Sequence, residues 1–193
     1  MKIIGLTGGV GAGKSTVMKI LEEEKKAFVI QADLIAKELM EPGQPGFVEL
    51  VRTLGTRILS QDGTIDRAVL AQMMFHQKEI LDQVNEIIHP MVWQEIRQKL
   101  KTYPAELAVV EAAIPDENHR DICDELWYVY TSEENRIRRL MQSRGYSEEK
   151  CRSMMENQKS ETEFQALADR IIDNNGSEEK VRQQVLSALE DRG

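Results

Sequence analysis

The sequence has very few of the residues that stabilise secreted proteins or hold metal clusters. Its 193 residues include only two cysteines, Cys123 and Cys151, and three histidines. The cysteines do not have the spacing of metal ligands, and the histidines are too scattered to indicate a zinc site. The first residues lack the pattern of a signal peptide. We therefore expect free thiols in a reducing compartment, which indicates a cytoplasmic protein.

Long apolar runs and an excess of positive charge are missing as well. No stretch approaches the roughly 18 apolar residues of a membrane span. Lysine and arginine number 25 against 33 aspartates and glutamates, which gives a net charge of −8. Such a surface repels nucleic acid and anionic membranes at long range. We therefore expect neither as a partner, and any anionic ligand must be held by a local group of donors.

The residues that are present have the composition of one globular domain, for which we expect a monomer. Hydrophobic residues make up 41% of the chain and charged residues 30%, which is typical of a water-soluble domain. Five short apolar runs alternate with helical patterns, at residues 2–7, 27–31, 107–112, 126–130 and 170–173. This alternation predicts an α/β fold with a five-stranded parallel sheet covered by helices on both faces.

The most informative motif follows the first apolar run. Residues 8–15 read GGVGAGKS, which matches the phosphate-binding pattern G-x-x-x-x-G-K-S, and a helix-forming stretch comes next. A flexible glycine turn is the alternative, but the strand before and the helix after favour a P-loop at the carboxyl edge of a central strand. Lys14 can reach the β- and γ-phosphates, and the Ser15 hydroxyl can bind Mg²⁺. The residues predicted to contact a nucleoside triphosphate here are Gly9, Val10, Gly11, Ala12, Gly13, Lys14, Ser15 and Thr16.

Two acidic residues follow predicted strands. Asp33 comes after the second apolar run, where it could face the γ-phosphate and accept the proton of an acceptor hydroxyl. A plain helix N-cap is the alternative for Asp33. Glu111 lies at the end of the third run and resembles a Walker B acid that holds Mg²⁺ directly or through water. Apolar strands often end in acids, so this second reading has a structural alternative too.

Two helical regions have the character of accessory elements. The region at about 33–104 shows helical periodicity, and Pro90 predicts a kink or two helices meeting at His89. Residues 131–163 read as a helix pair, in which Thr131 and Glu134 form a T-x-x-E capping box. Gly145 is expected to end the first helix of the pair, and Ser147 to begin the second.

Positive charge is concentrated in that helix pair on an otherwise acidic protein. The arginines are Arg136, Arg138, Arg139 and Arg144. This composition is typical of a lid that closes over phosphates, although a solvated helix face with local ion pairs is the alternative. Further along, Asn174 lies in the loop that joins the last strand to the last helix, where its amide could contact a nucleotide base. An Asn-Gly turn with Ser177 as a helix cap explains the same residues.

Taken together, several segments resemble the dephospho-CoA kinase family. Residues 4–15 are similar to the opening of that family, and residues 31–36 resemble its D-A-D-x-x-A segment with Gln31 in place of the first acid. Residues 58–70 match its I-L-x-x-D-G-x-I-D-R-x-x-L pattern. Residues 85–92 match N-x-I-x-H-P-x-V, and residues 168–176 resemble its A-D-x-x-I-D-N-x-G close.

The resemblance implies a P-loop NTPase-type three-layer fold and ATP-dependent phosphorylation of the ribose 3′-hydroxyl of dephospho-CoA, with Mg²⁺ accompanying ATP. It implies a single kinase domain with a core at about 1–32 and 105–193, a helical acceptor-binding insert at about 33–104 and a lid at about 131–160. The catalytic group would comprise Asp33, Lys14 and Arg139, with Ser15 and Glu111 at the metal. The resemblance also implies acceptor contacts for Asp33 and His89, and further ATP contacts for Arg139, Arg144 and Asn174.

Two other functions stay open at this point. One is a P-loop kinase for another small acceptor, such as a nucleoside or nucleotide. The other is a nucleotide-binding regulatory paralogue without turnover, suggested because residues 111–117 read EAAIPDE where the family usually carries an aspartate followed by P-L-L-F-E. The retention of Lys14, Ser15 and Asp33 argues against the paralogue.

Overall fold

The structure is a computed structural model that describes residues 1–190. Its strands are Lys2–Thr7 (β1), Phe28–Gln31 (β2), Leu107–Glu111 (β3), Glu125–Tyr130 (β4) and Arg170–Asp173 (β5). Its helices are Lys14–Lys25 (α1), Ala32–Leu39 (α2), Pro45–Leu54 (α3), Arg67–His76 (α4), Lys78–Thr102 (α5), Glu117–Ile122 (α6), Glu133–Arg144 (α7), Glu148–Glu156 (α8), Glu161–Leu167 (α9) and Glu178–Glu190 (α10). A 3₁₀ turn covers Thr56–Ile58.

The five strands form one sheet in the order β2-β3-β1-β4-β5. β1 pairs in parallel with both β3 and β4, and β4 pairs in parallel with β5. The predicted parallel sheet is confirmed, and β1 is its central strand. The register sets Leu6 of β1 opposite Glu111 of β3, so that Glu111 lies beside the point where β1 runs into the phosphate loop.

Each face of the sheet buries a different set of side chains. On one face Leu6, Val109 and Trp127 pack against apolar residues of α1 and α10 such as Val17 and Val185. The alternation of side chains along a strand turns the neighbouring residues to the other face. There α6 packs against β1, and α9 packs against β4. The predicted helical layers on both faces are therefore present.

The chain divides into two compact units. One contains Met1–Ile30 and the chain from Tyr103 onward, and the other is Gln31–Thr102. The first holds the sheet, the phosphate loop and α6–α10. The second is helical, with α2, α3 and α4 packed against α5. Residues 191–193 of the expected core range lie outside the described residues.

The structure corrects the prediction of a helix break at His89. α5 runs without interruption from Lys78 to Thr102 with Pro90 inside it, so the version with two separate helices is wrong. Proline removes one helical N–H donor. The buried face of α5, which includes Ile88, Val92 and Ile96, keeps the two halves in one helix because helices in proteins are stabilised mainly by packing of their apolar face.

The predicted helix pair at residues 131–163 is also corrected. Its first helix begins after Ser132, and the T-x-x-E capping box does not form because the Thr131 hydroxyl donates to the Ala12 carbonyl instead. The end at Gly145, with φ of 64°, and the Ser147 cap are as predicted. A third helix, α9, was not predicted, although its cap Ser160 forms a complete capping box with Glu163. In the part of the chain that the structure describes, no helix has both the length and the apolar character needed to cross a membrane.

Candidate active site

The phosphate loop joins β1 to α1 through glycines in left-handed conformations. Gly11 has φ of 76° and Gly13 has φ of 87°, a region that favours glycine. Space is restricted as well, since a Cβ at Gly13 would lie 2.1 Å from the Asn174 amide nitrogen. No acidic residue lies in the first turn of α1, so the positive end of its dipole is available to an anion.

Lys14 and Glu111 form a largely buried ion pair beside this loop. The Lys14 ammonium donates to the Gly8 carbonyl at 2.8 Å and lies 3.4 Å from a Glu111 carboxylate oxygen. Glu111 holds its position because it ends the buried strand β3. The pair therefore sets one cation and one anion side by side at the mouth of the loop, which suits binding of a phosphate chain together with a metal ion.

Three side chains converge on the carbonyl of Ala12. It accepts hydrogen bonds from the Thr131 hydroxyl at 2.8 Å, the Asn174 amide at 2.8 Å and the Arg139 guanidinium at 3.3 Å. Arg139 also donates to the Asn174 carbonyl at 2.7 Å. The sequence did not single out Thr131 as a site residue, although a polar residue directly after an apolar strand at the ligand edge was the available signal. These contacts fix the loop carbonyl that immediately precedes Gly13.

A second group holds the loop at Val10. The Arg136 guanidinium donates to the Val10 carbonyl at 2.8 Å and to the Gln158 side-chain oxygen at 2.9 Å. The same Gln158 oxygen accepts the Val10 N–H at 3.0 Å. Burial lowers the pKa of the Arg136 guanidinium below its ordinary value, although an arginine stays charged at neutral pH. Gln158 was not predicted, and Arg136 was noted only as part of the positive charge of the lid.

The remaining predicted residues occupy varied positions. Ser15 is exposed in the first turn of α1, followed by Thr16. Arg144 is exposed at the last residue of α7, and its guanidinium carbon lies 6.0 Å from the centroid of the Tyr146 ring. The structure thus brings Lys14, Glu111, Arg139 and Asn174 around the loop, and it sets Arg144 on an exposed helix end.

Asp33 and His89 belong to the helical unit. Asp33 is exposed in the first turn of α2, whose N-cap is Gln31. The alternative that Asp33 caps this helix is therefore wrong. His89 is exposed on α5, directly before Pro90. Both side chains are accessible to a ligand.

The oxygen donors near the loop have the chemistry that Mg²⁺ prefers. Ser15 supplies a hydroxyl and Glu111 a carboxylate, and hard divalent cations take such oxygen ligands. Within residues 1–190, no group of three or more His, Cys, Asp or Glu side chains is placed to hold a metal ion. This donor set fits Mg²⁺ that arrives with nucleotide phosphates, since Mg²⁺ usually takes one or two protein ligands and completes its shell with phosphate and water.

Comparison with known proteins finds relatives along almost the whole chain. The model of the CoaE family, described as dephospho-CoA kinase, matches residues 2–180. The chain is 40% identical to the dephospho-CoA kinase of Carboxydothermus hydrogenoformans, in an alignment over 98% of this chain and 94% of that protein. It is 36% identical to the Shouchella clausii dephospho-CoA kinase, with 96% of each chain covered. The crystal structure of TT1252 from Thermus thermophilus superposes with a TM-score of 0.86 at 27% identity, covering 100% of this chain and 98% of that one.

Proposed function

This chain belongs to the dephospho-CoA kinase family, and we propose on that premise that it transfers the γ-phosphate of ATP to the ribose 3′-hydroxyl of dephospho-CoA. The products are coenzyme A and ADP. The observation that carries the proposal is the phosphate loop with its Lys14–Glu111 pair, in a chain that matches the family almost from end to end. Neither another acceptor nor a paralogue without turnover gains support from the relatives.

The loop and its surroundings would bind the triphosphate. Main-chain N–H groups and the dipole of α1 attract the phosphates. The Lys14 ammonium, which now rests on the Gly8 carbonyl, turns toward the β- and γ-phosphates and stabilises the charge that develops during transfer. Arg139 adds a second positive charge next to Asn174. The loop at residues 173–177 is the proposed contact for the base, and Arg144 is proposed to approach the nucleotide when the lid closes.

Asp33 is the proposed general base. Its exposed carboxylate would accept the proton of the acceptor hydroxyl as the oxygen attacks the γ-phosphorus. The bond from the γ-phosphorus to the β,γ-bridging oxygen breaks, and ADP leaves with that electron pair. His89 is the proposed acceptor contact on α5, and the helical unit as a whole is proposed to bind dephospho-CoA.

Mg²⁺ would be held by the Ser15 hydroxyl and by the Glu111 carboxylate, directly or through water. The ion, when bound, supplies charge neutralisation on the β- and γ-phosphates. The protein's own contribution is to keep the Glu111 carboxylate next to Lys14, which lowers the electrostatic cost of holding either charge in a largely buried site.

A coupled assay of ADP release tests the activity. Purified protein with Mg²⁺ and ATP is expected to release ADP with dephospho-CoA and far more slowly with a panel of nucleosides, nucleotides and sugars. Equal rates on a different acceptor would refute the assignment of substrate, and no acceptor-dependent ADP release at all would favour the paralogue.

Calorimetry tests the ATP site separately. Lys14→Ala should lose most activity and weaken ATP binding. Lys19→Ala is the matched control, because Lys19 is an exposed lysine of the same helix whose ion pair with Glu23 is local. Full activity in Lys14→Ala would contradict the role of the loop.

A cytoplasmic location and a monomeric state are part of the proposal. Both cysteines are free thiols, as expected for a reducing compartment. Cell fractionation and sedimentation velocity test these two points.

A further inference from the structure

The two backbone polar groups of Val10, in the phosphate loop, both bond to side chains from the proposed lid. The Val10 N–H donates to Gln158 at 3.0 Å, and its carbonyl accepts from Arg136 at 2.8 Å. The two side chains also contact each other at 2.9 Å. We infer that Arg136 and Gln158, here called the Val10 bracket, are positioning residues that hold the loop in its nucleotide-binding form. The inference rests on the proposed ATP site.

The neighbouring glycine supports this inference. A Cβ at Gly9 would lie 2.3 Å from a terminal nitrogen of Arg136 and 2.6 Å from its central guanidinium carbon. Gly9 does not have a positive φ, so its backbone does not require glycine. Glycine at position 9 instead leaves space for the Arg136 guanidinium. The loop is therefore shaped to admit the bracket.

The bracket joins separate segments of the lid to one loop residue. Arg136 lies on α7, and Gln158 lies in the connection between α8 and α9. The Val10 side chain packs on a small apolar cluster that includes Leu140 of α7 and Cys151 of α8. Side chain, N–H and carbonyl of Val10 are thus all anchored on the lid, so any shift of the lid changes the loop.

Removing Gln158 could either tighten or weaken ATP binding. The outcome depends on whether the Val10 N–H donates to phosphate or to Gln158 when ATP is bound. If this N–H were a phosphate donor, Gln158 would compete with ATP, and removing Gln158 would tighten binding. The packing of the Val10 side chain against α7 and α8 instead indicates that Val10 keeps its contacts with the lid when ATP binds. This assignment departs from the expectation that Val10 contacts the triphosphate, since its N–H donates to Gln158 and the phosphate contacts are left to N–H groups nearer α1. Removing Gln158 should therefore free the loop and weaken ATP binding.

Isothermal calorimetry with MgATP on the full-length protein tests whether loss of Gln158 weakens or tightens ATP binding. Gln158→Leu should raise the Kd for ATP about tenfold, the effect of losing hydrogen bonds that involve a charged partner. The KM for dephospho-CoA should change less than about twofold, a split that a general loss of folding would not produce. Gln165→Leu is the matched control, because Gln165 is an exposed glutamine whose side chain donates to Glu161 on its own helix.

Conservative and paired variants separate positioning from general packing. Gln158→Glu keeps oxygens that can accept from both Arg136 and Val10, and it should bind ATP like the wild type. Arg136→Lys keeps the charge but cannot donate to both partners, so it should show an intermediate loss. Arg136→Met combined with Gln158→Leu should be little worse than either alone, because one bracket is lost in each case. Gly9→Ala, which displaces the guanidinium, should add little to Arg136→Met.

Three results would contradict the positioning role of the Val10 bracket. They are unchanged ATP binding in Gln158→Leu, tighter ATP binding in that variant, or an equal loss in Gln158→Glu and Gln158→Leu. Should Gln158→Leu not fold, Arg136→Lys and Gln158→Glu decide the question. If the wild-type protein itself bound no ATP, the proposed function would fail instead, so the two failures are distinguishable.

Discussion

At the scale of single residues, the Asp33 carboxylate is the group on which proposed turnover depends most. Asp33→Asn keeps the shape of the side chain and removes the base, so kcat should fall by about 10²- to 10⁴-fold. ATP affinity should stay within about twofold, because the triphosphate is bound by the phosphate loop. Steady-state kinetics and calorimetry check both values.

The control for this change is Asp82→Asn, since Asp82 is an exposed acid of the same unit in a local ion pair with Lys78. It should leave turnover unchanged. A turnover number for Asp33→Asn equal to that of the wild type would remove Asp33 from the mechanism.

Glu111 carries a second prediction at this scale. Glu111→Gln removes the carboxylate that lies 3.4 Å from Lys14. The proposed metal site then loses a negatively charged oxygen ligand. The Mg²⁺ concentration for half-maximal activity should rise, by about tenfold for a loss of roughly 1.4 kcal/mol. Activity measured against Mg²⁺ at saturating ATP gives this value.

Glu125→Gln is the comparison for that titration. Glu125 is a partly buried, ion-paired acid at the start of β4, away from the ends of the strands where the phosphate loop begins. It should keep the Mg²⁺ requirement of the wild type. Equal requirements in Glu111→Gln and the wild type would show that Glu111 does not serve the metal.

Sequence patterns identify some of the site residues and miss others for a physical reason. Lys14 and Glu111 are found because each occupies a fixed place next to a strand end. Gln158 and Thr131 escape detection because they act on backbone groups 148 and 119 residues away. No local spacing encodes such contacts, since they depend on how the helices return to the sheet.

At the scale of elements, the two capping-box patterns give a paired prediction. The box at Thr131 and Glu134 does not form, whereas the box at Ser160 and Glu163 does. Ser160→Ala should destabilise the start of α9 by about 1 kcal/mol. Hydrogen exchange of the α9 amides should then quicken about fivefold, if they exchange through local opening.

Glu134→Ala is the counterpart on α7. It should change the exchange of α7 amides much less, because only a weak interaction with the helix dipole is lost. Faster exchange of α7 in Glu134→Ala than of α9 in Ser160→Ala would contradict the two assignments. The same T/S-x-x-E pattern therefore has different outcomes, because the Thr131 hydroxyl donates to the buried Ala12 carbonyl, whereas the Ser160 hydroxyl bonds with Glu163.

At the scale of the whole molecule, the sheet was predictable and the helical regions less so. Strand ends lie within one residue of the predicted runs, because parallel strands buried on both faces form continuous apolar segments. α5 passes through Pro90 because packing along its length outweighs one missing hydrogen bond. Tertiary packing of this kind leaves no local signal, and boundaries in helical regions are the least predictable for that reason.

Global stability should depend on pH through His119. This residue is fully buried beneath β1, its ring nitrogen Nε2 lies 2.9 Å from the Val110 carbonyl oxygen, and burial lowers the pKa of the imidazole below its ordinary value. The unfolded chain takes up a proton below about pH 6.5 that the folded chain excludes. The free energy of unfolding should therefore be independent of this group above pH 6.5. It should fall as the pH drops from there toward the folded pKa, by at most about 1.4 kcal/mol per pH unit.

Urea unfolding between pH 5 and 7.5 isolates this contribution. Of the groups that face His119, Cys123 has a pKa raised to about 12 by burial, and Asp116 is the neighbouring acid. Acids whose pKa is lowered by ion pairs, such as Asp169 beside Arg120, lose their stabilising effect only at lower pH. His119→Gln should be less stable at pH 7.5 but should show a flatter dependence on pH. A slope equal to that of the wild type would assign the acid sensitivity to other groups.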